Sequence, residues 1–344
     1  MVSLTANPRN INEADFPAAG TPEEQWLFLL NYALLAPSEY NTQPWRFRVQ
    51  GETVELSLDS SRCLSVVDPE NREMLISCGA ACLNLRLAAR HFGYLAWMES
   101  FILNDQPEIL VRLGLGTREA TTAEDERLFQ AIPLRHTNRS VYDERSVAES
   151  VLTQLQREAG REGTWLHLVQ DDETRQAITR LIVAGDREQW ADKRFRHELA
   201  EWVHPRGEES ADGLPGSAQA KGSIRQMTSP FVVRTFDLWR EEAARDRQLT
   251  AGAPVLAVLG TFSDHRADWF NAGKALERVL LGACSSGLQT SFVNQPIEVP
   301  SLRTWLRQIL GRDDFPHLVI RMGYGEPSVL TPRRCVQDVL LEHT

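Results

Sequence analysis

An α+β fold built twice within one chain is the expectation from the 344-residue sequence, and three observations support it. Apolar stretches at helical spacing alternate with short alternating strands, the first two of which form a hairpin. The glycine-rich helix Gly79–Gly93 aligns with Gly273–Gly287 at a constant offset of 194, with identities at Gly79/Gly273, Ala81/Ala275, Leu87/Leu281, Ala89/Ala283 and Gly93/Gly287. Farther on, Arg112-Leu113-Gly114-Leu115-Gly116 is echoed by Arg321-Met322-Gly323-Tyr324-Gly325. Two echoes in the same order, at a period too long for a solenoid, imply a fused pair of related halves. Glycine and alanine on the paired helices would let their backbones approach closely at a two-fold core.

Taken in order, the first helix starts at Thr21, where Thr21-Pro22-Glu23-Glu24 has a capping residue, proline at the first helical position and glutamate three after the cap. Trp26, Leu29, Leu30, Ala33 and Leu34 form its apolar stripe, and Pro37 stops it. Trp45–Val49 and Val54–Leu58 flank a Gln50-Gly51 turn. A long apolar helix follows over 75–91, then a strand over 109–115. An acidic linker, 118–127, separates the halves, giving an N-terminal half over 21–118 and a C-terminal half over 130–340. The second half carries a helix over 147–160, a strand over 165–169 and helical material to about Trp202. A segment rich in Gly, Pro, Ser and charge occupies 204–229, and Asp212-Gly213-Leu214-Pro215-Gly216 marks a turn within it. A helix over 231–247, a buried-type strand over 254–260, an apolar helix over 270–286, a helix over 302–310 and a strand over 317–322 complete the set.

Hydrophobic residues make up 42% and charged residues 24%, a soluble globular balance. No apolar run approaches the ~20 residues needed to cross a bilayer, and the N-terminus has no basic start followed by an apolar core. A net charge of −10 disfavours non-specific binding to nucleic acid and to anionic membranes. The five cysteines, Cys63, Cys78, Cys82, Cys284 and Cys335, form no CxxC pair, so zinc or iron–sulfur ligation is not expected, and the pattern fits a reducing cytoplasm. Cys78, Cys82 and Cys284 read as small buried hydrophobes.

Three clusters carry potential chemistry. In Pro37-Ser38-Glu39-Tyr40-Asn41-Thr42-Gln43-Pro44-Trp45, two prolines fix the backbone while Ser38, Asn41 and Gln43 offer hydrogen-bonding groups. The same residues could equally cap the loop's own backbone. Arg135 and Arg139 flank Thr137 and can converge on one phosphate, because guanidinium makes bidentate, charge-assisted bonds; solvated arginines leading into a helix are the alternative. Thr331-Pro332-Arg333-Arg334 would add positive charge, or is simply surface.

Together these clusters resemble the nitroreductase superfamily, and the fused, single-chain Acg-like FMN-binding branch in particular, over about Thr21 to Leu340. The resemblance implies a duplicated nitroreductase-like fold, an intramolecular pseudo-dimer with central, mostly antiparallel sheets flanked by helices. It also implies an FMN phosphate held by Arg135, Thr137 and Arg139 with Arg333 or Arg334. Pro37, Ser38, Asn41 and Gln43 of the Pro-Ser-x-x-Asn-x-Gln-Pro-Trp loop would reach the same flavin, and backbone around Asn294 and Gln295 would run past its ring. The loop occurs only in the first half and the arginine segment only in the second, so one FMN per chain is expected. Such a protein passes electrons from NAD(P)H to a nitro, quinone or related acceptor, and the cofactor performs the chemistry, so no catalytic side chain is named. The 204–229 insertion is either a lid or a surface loop; as a closed lid it would make the chain an FMN-binding or storage protein with little turnover. A scaffold without flavin is the third reading. A fused pair can stand as a monomer.

Overall fold

A computed structural model describes residues 4–103, 109–205, 210–215, 230–328 and 330–341. In chain order the helices are α1 (Pro22–Ala33), α2 (Arg72–His91), α3 (Ala123–Ala131), α4 (Glu149–Gly160), α5 (Asp172–Ala191), α6 (Lys193–Glu201), α7 (Pro230–Thr235), α8 (Trp239–Ala251), α9 (Arg266–Ser285), α10 (Gln295–Glu298), α11 (Pro300–Ile309) and α12 (Val336–Val339). The strands are β1 (Trp45–Gln50), β2 (Thr53–Leu58), β3 (Tyr94–Ser100), β4 (Val111–Arg118), β5 (Trp165–Leu168), β6 (Val203–His204), β7 (Leu214–Pro215), β8 (Val255–Thr261), β9 (Gln289–Phe292) and β10 (Phe315–Gly323).

Two four-stranded sheets share one topology. The first runs β1-β2-β4-β3 and the second β5-β8-β10-β9, all pairings antiparallel. Numbered within its own half, each sheet has the order one-two-four-three. The fold is therefore α+β and duplicated. Helices α2 and α9 are each 20 residues long and share the 194-residue offset at both ends. They cross at glycine: a Cβ on Gly79 would stand 2.1 Å from the Phe270 carbonyl oxygen, and one on Gly273 would stand 1.9 Å from that of Ile76. Only glycine permits this approach. Around the crossing lies the main core, with Trp26, Leu30 and Leu34 of the first half packed in one cluster with Val279, Leu281 and Ile320 of the second.

Local signals behave as expected at several ends. Thr21 Oγ1 accepts from Glu24 N–H while Glu24 Oε2 accepts from Thr21 N–H, closing the capping box of α1. Gly51, at φ +55°, makes the β1–β2 turn.

Elsewhere the structure corrects the sequence reading. The acidic stretch over 118–127 is not a simple linker, because Thr122 caps α3 there and Leu128 and Phe129 are buried. Helix α2 begins one turn before its apolar periodicity, since Asp68 accepts from Arg72 and Met74 N–H groups (2.8 and 3.0 Å) and substitutes for an N-cap. The helix expected over 231–247 is two helices, α7 and α8; Asp237 Oδ1 accepts from Trp239 N–H at the start of the second. Strand β3 has no alternating pattern, because it is an edge on which Trp97 lies over the bare Gly114 of β4.

The halves differ most between β5 and β8. There the second half inserts α5, α6, β6, β7, α7 and α8, where the first half has only the hairpin turn between β1 and β2. The insertion packs back on the first half through a separate apolar cluster in which Tyr40, Leu64 and Val67 meet Trp190, Phe195, Leu199 and Val233. Of the segment 204–229, residues 204–205 and 210–215 are described; the remainder of that expected lid lies outside the described residues.

Candidate functional site

The loop between α1 and β1 holds an unusual backbone. Tyr40, Asn41 and Gln43 have φ of 47°, 57° and 52°, a left-handed conformation costly for side-chain-bearing residues. Such a loop cannot use a regular ladder, so side chains must satisfy it. Ser38 Oγ accepts from Gln43 N–H at 2.9 Å. The Asn41 amide donates to the carbonyls of Gly213 and Pro332 (both 3.2 Å) and accepts from Arg333 Nη1 (3.0 Å). The Gln43 amide donates to Ala211 O (2.8 Å) and accepts from Arg334 N–H (2.9 Å). Both amides are buried.

Beyond that loop lies a cleft of about 460 Å³ between the halves, lined by Pro37 and Ser38, by Glu73, Ile76 and Ser77 of α2, and by Thr137, Arg139, Leu276, Phe292 and Asn294. A second cavity adjoins it and shares Glu39, Arg139, Phe292 and Asn294. Tyr40, Trp190 and Phe195 give it aromatic walls, and Gln295 also lines it. Asn294 is held in place by its Oδ1, which accepts from Val319 N–H of β10 at 3.0 Å.

Of the residues singled out in sequence, Pro37, Ser38, Thr137, Arg139, Asn294 and Gln295 line these spaces. Asn41, Gln43, Arg135, Arg333 and Arg334 are not among the lining residues. For Asn41 and Gln43 this corrects the expectation that their amides face a ring. The strained loop uses them as clips to 211–213 and 332–334, because buried amides need partners. Arg334 is likewise committed, donating to Gln43 O at 3.3 Å and lying 3.7 Å from Asp59.

Arg135 and Arg333 form a buried cationic group one or two residues behind the cleft wall. Arg135 Nη2 donates to Leu35 O at 3.0 Å, and Arg333 Nη2 reaches the carbonyls of Leu35 and Ala36 (3.5 and 3.3 Å). Arg9 joins them, donating to Thr331 O at 3.0 Å. Arg9 was not singled out in sequence; it sits in a stretch with tail-like composition, and no motif marks it. Burial and the repulsion of Arg9 and Arg135 hold the Arg333 guanidinium well below its ordinary pKa. Burial, then Arg135, brings Arg9 down to about 10. Among the described residues one carboxylate faces them: Glu277 of α9, 3.6 Å from Arg135 Nε, which burial pushes up to about 7. Arg9 Nη2, Arg135 Nε and Arg333 Nε lack hydrogen-bond partners among the described residues. Buried, under-satisfied guanidinium groups outnumbering their carboxylate suit an anion.

The second cavity has the opposite character. Asp186 accepts from Gln295 Nε2 at 3.0 Å, and the same amide donates to Asp246 at 2.6 Å. Burial, then Asp246, pushes Asp186 up to about 9, as expected of two carboxyl groups that share one amide donor. His136 takes no part; its Nδ1 faces Leu134 O and its Nε2 accepts from Ser328 N–H.

Relatives match this chain along most of their length and of its own. "Putative NAD(P)H nitroreductase acg" of Mycobacterium tuberculosis is 28% identical over 316 residues, covering 89% of this chain and 92% of that protein. "Putative NAD(P)H nitroreductase Rv3131" of the same organism is 29% identical over 325 residues, covering 91% and 90%. The chain is similar to proteins named as NAD(P)H nitroreductases along about nine-tenths of its length. "Probable NAD(P)H nitroreductase PigM" of a Serratia species extends this likeness at 24% identity, covering 90% and 91%. No protein-family model matches the chain. Among solved structures of the superfamily, an FMN- and NADPH-dependent nitroreductase, NfnB, is 17% identical with a TM-score of 0.43, covering 63% of this chain and 99% of its own. A nitroreductase with bound FMN from Desulfitobacterium hafniense is 13% identical with a TM-score of 0.41, covering 63% and 98%. No helix among the described residues is long and apolar enough to cross a membrane.

Proposed function

We propose that this chain is an FMN-dependent oxidoreductase of the nitroreductase type, using NAD(P)H as electron donor. One observation carries the reading: Pro37 and Ser38 of the first half face Thr137, Arg139 and Asn294 of the second across a single cleft, with Arg135, Arg333 and Arg9 grouped immediately behind it. The guanidinium nitrogens without a hydrogen-bond partner among the described residues fit a phosphate, and the cleft walls offer hydroxyl groups and apolar surface to a ring. In this reading Arg135, Arg333 and Arg9 hold the phosphate with Arg139 and Thr137, while Asn41, Gln43 and Arg334 hold the 37–43 loop in position. Bound there, FMN would take a hydride from NAD(P)H and deliver electrons to a nitro, quinone or related acceptor. The aromatic walls of the adjoining cavity suit a planar acceptor. The fused halves supply both sides of the cleft, so the chain works as a monomer.

Absorbance of the purified protein, followed by anaerobic titration with NADPH and addition of a nitro compound, tests this. Bleaching and recolouring support it. A second reading, FMN retention with little turnover, draws on the contacts from Ala211 and Gly213 to the amides of Gln43 and Asn41, which fasten the insertion onto the loop. Yellow protein inert to nicotinamide would favour that reading. Colourless protein that ignores added FMN would sink both and favour a scaffold.

A further inference from the structure

Three carboxylates meet at the seam of the two cavities. Glu39 lines both spaces, Glu73 lines the cleft and Glu298 lines the second cavity. One oxygen from each lies within 4.8 Å of the others. They come from three separate pieces of chain: the turn after Ser38, the first turn of α2, and the last residue of α10. Each is held in place independently. Asp68 pins the start of α2, Ser38 Oγ braces the loop, and Gln189 donates to Glu298 Oε2.

A second observation points to a ligand. Glu73 is only 5% exposed and lines the cleft, yet neither of its carboxylate oxygens has a hydrogen-bond partner among the described residues. A buried carboxylate without a donor is costly, and two like neighbours add to the cost. The adjacent Arg72 offsets this only through its charge and donates no hydrogen bond to Glu73, its Nη2 being turned to Ile297 O at 3.1 Å. Neither Glu39 nor Glu73 forms an ion pair among the described residues.

We propose that Glu39, Glu73 and Glu298 bind one hard divalent cation, of the Mg²⁺, Mn²⁺ or Ca²⁺ class, where the cleft opens into the second cavity. The donor set is oxygen alone, which selects these ions over the softer metals that take His or Cys. The 4.8 Å span is about twice a Ca²⁺–O length of roughly 2.3–2.6 Å, so a single ion reaches all three carboxylates. Three negative charges exceed the two of the ion, and water from the open side completes its shell. No sequence spacing announces the site, since its ligands lie at 39, 73 and 298. Glu39 and Glu73 also line the cleft assigned above to FMN, but the proposal is argued from the carboxylates alone and its test reads the metal ion and not the flavin.

The test uses the full chain as purified, stripped with EDTA and desalted. Mn²⁺ is titrated in and the free-ion signal followed by electron paramagnetic resonance, with Ca²⁺ and Mg²⁺ as competitors. One Mn²⁺ per chain is expected, displaced by Ca²⁺ or Mg²⁺. Glu73→Gln and Glu39→Gln should each weaken binding at least tenfold, and Ca²⁺ should raise the melting temperature of the wild type more than that of either variant. The partly exposed Glu39 keeps the test open should Glu73→Gln fold poorly. Wild-type protein that leaves millimolar Mn²⁺ free overturns the proposal, as does binding undiminished in both variants.

Discussion

Arg135 and Arg333 share an acceptor, the carbonyl of Leu35, and the Nε of each has no hydrogen-bond partner among the described residues. If these nitrogens serve a phosphate, Arg135→Ala and Arg333→Ala should each weaken FMN retention by ~1.5–3 kcal/mol, the range for hydrogen bonds to charged groups. Equilibrium dialysis against FMN measures this, and unchanged retention in both removes them from the site. Glu277 tunes the same group. Its carboxyl faces Arg135, Arg333 and the Cys284 thiol, and burial raises it from an ordinary 4.5 to about 7. Below that pH it is neutral and the guanidinium charge is uncompensated; above it, the carboxylate competes with an anion. FMN affinity should therefore fall by up to about tenfold (~1.4 kcal/mol) between pH 6.5 and 8, and Glu277→Gln should flatten the profile. For folding without FMN the sign runs the same way. A raised folded-state pKa means that stability linked to Glu277 is fully present below 4.5 and is lost as pH rises through about 7. A wild-type FMN affinity that rises with pH over this window would rule out the arrangement.

The crossing of α2 and α9 puts two elements in backbone contact at Gly79 and Gly273. A side chain at Gly273 meets the Ile76 carbonyl, which belongs to a helix and cannot give way. Gly273→Val should thus cost about 3 kcal/mol, the upper end for overpacking, read as a lower urea midpoint; an unchanged midpoint would show that the helices can separate freely. This element was legible in sequence because glycine and alanine repeat at one offset, and a close helix crossing needs small residues along its whole seam. The α1 cap and the β1–β2 turn were legible for the same local reason. The directions of Asn41 and Gln43 were not. Their partners lie at 211–213 and 332–334, far along the chain, and amide groups on a loop look alike whether they face a ligand or a carbonyl. Arg9 and Glu73 were illegible in a stronger sense. One sits in a stretch with tail-like composition and becomes half-buried, and the other sits in a charged first turn that interrupts helical periodicity and becomes buried, so neither enclosure shows before the chain folds.

At the scale of the whole molecule, duplication raises the question of how many cofactors a chain holds. The two sheets have matching orders, and α2 matches α9, so a second cleft related by the pseudo-two-fold would be expected if all parts were repeated. They are not. Between α1 and β1 the chain runs from Leu34 to Pro44, including the left-handed residues and the Pro37-Ser38 wall. At the corresponding place, between α4 and β5, only Arg161–Thr164 intervene, a tight turn with Gly163 at φ +73°. Four residues cannot supply a wall that needs a long, clipped loop. The Arg135-x-Thr137-x-Arg139 segment likewise has no counterpart ahead of α1, where Arg9 is already part of the group around Arg333. We therefore expect one FMN per chain at saturation, measured as flavin absorbance after release against protein concentration from amino-acid analysis. Two equivalents would mean that the shortened half still builds a site, and the link drawn here between the 34–44 loop and the cofactor would be wrong. Deletion offers the complementary check: removing residues 38–43 should abolish FMN retention while the rest of the core, which packs around α2 and α9, still melts cooperatively.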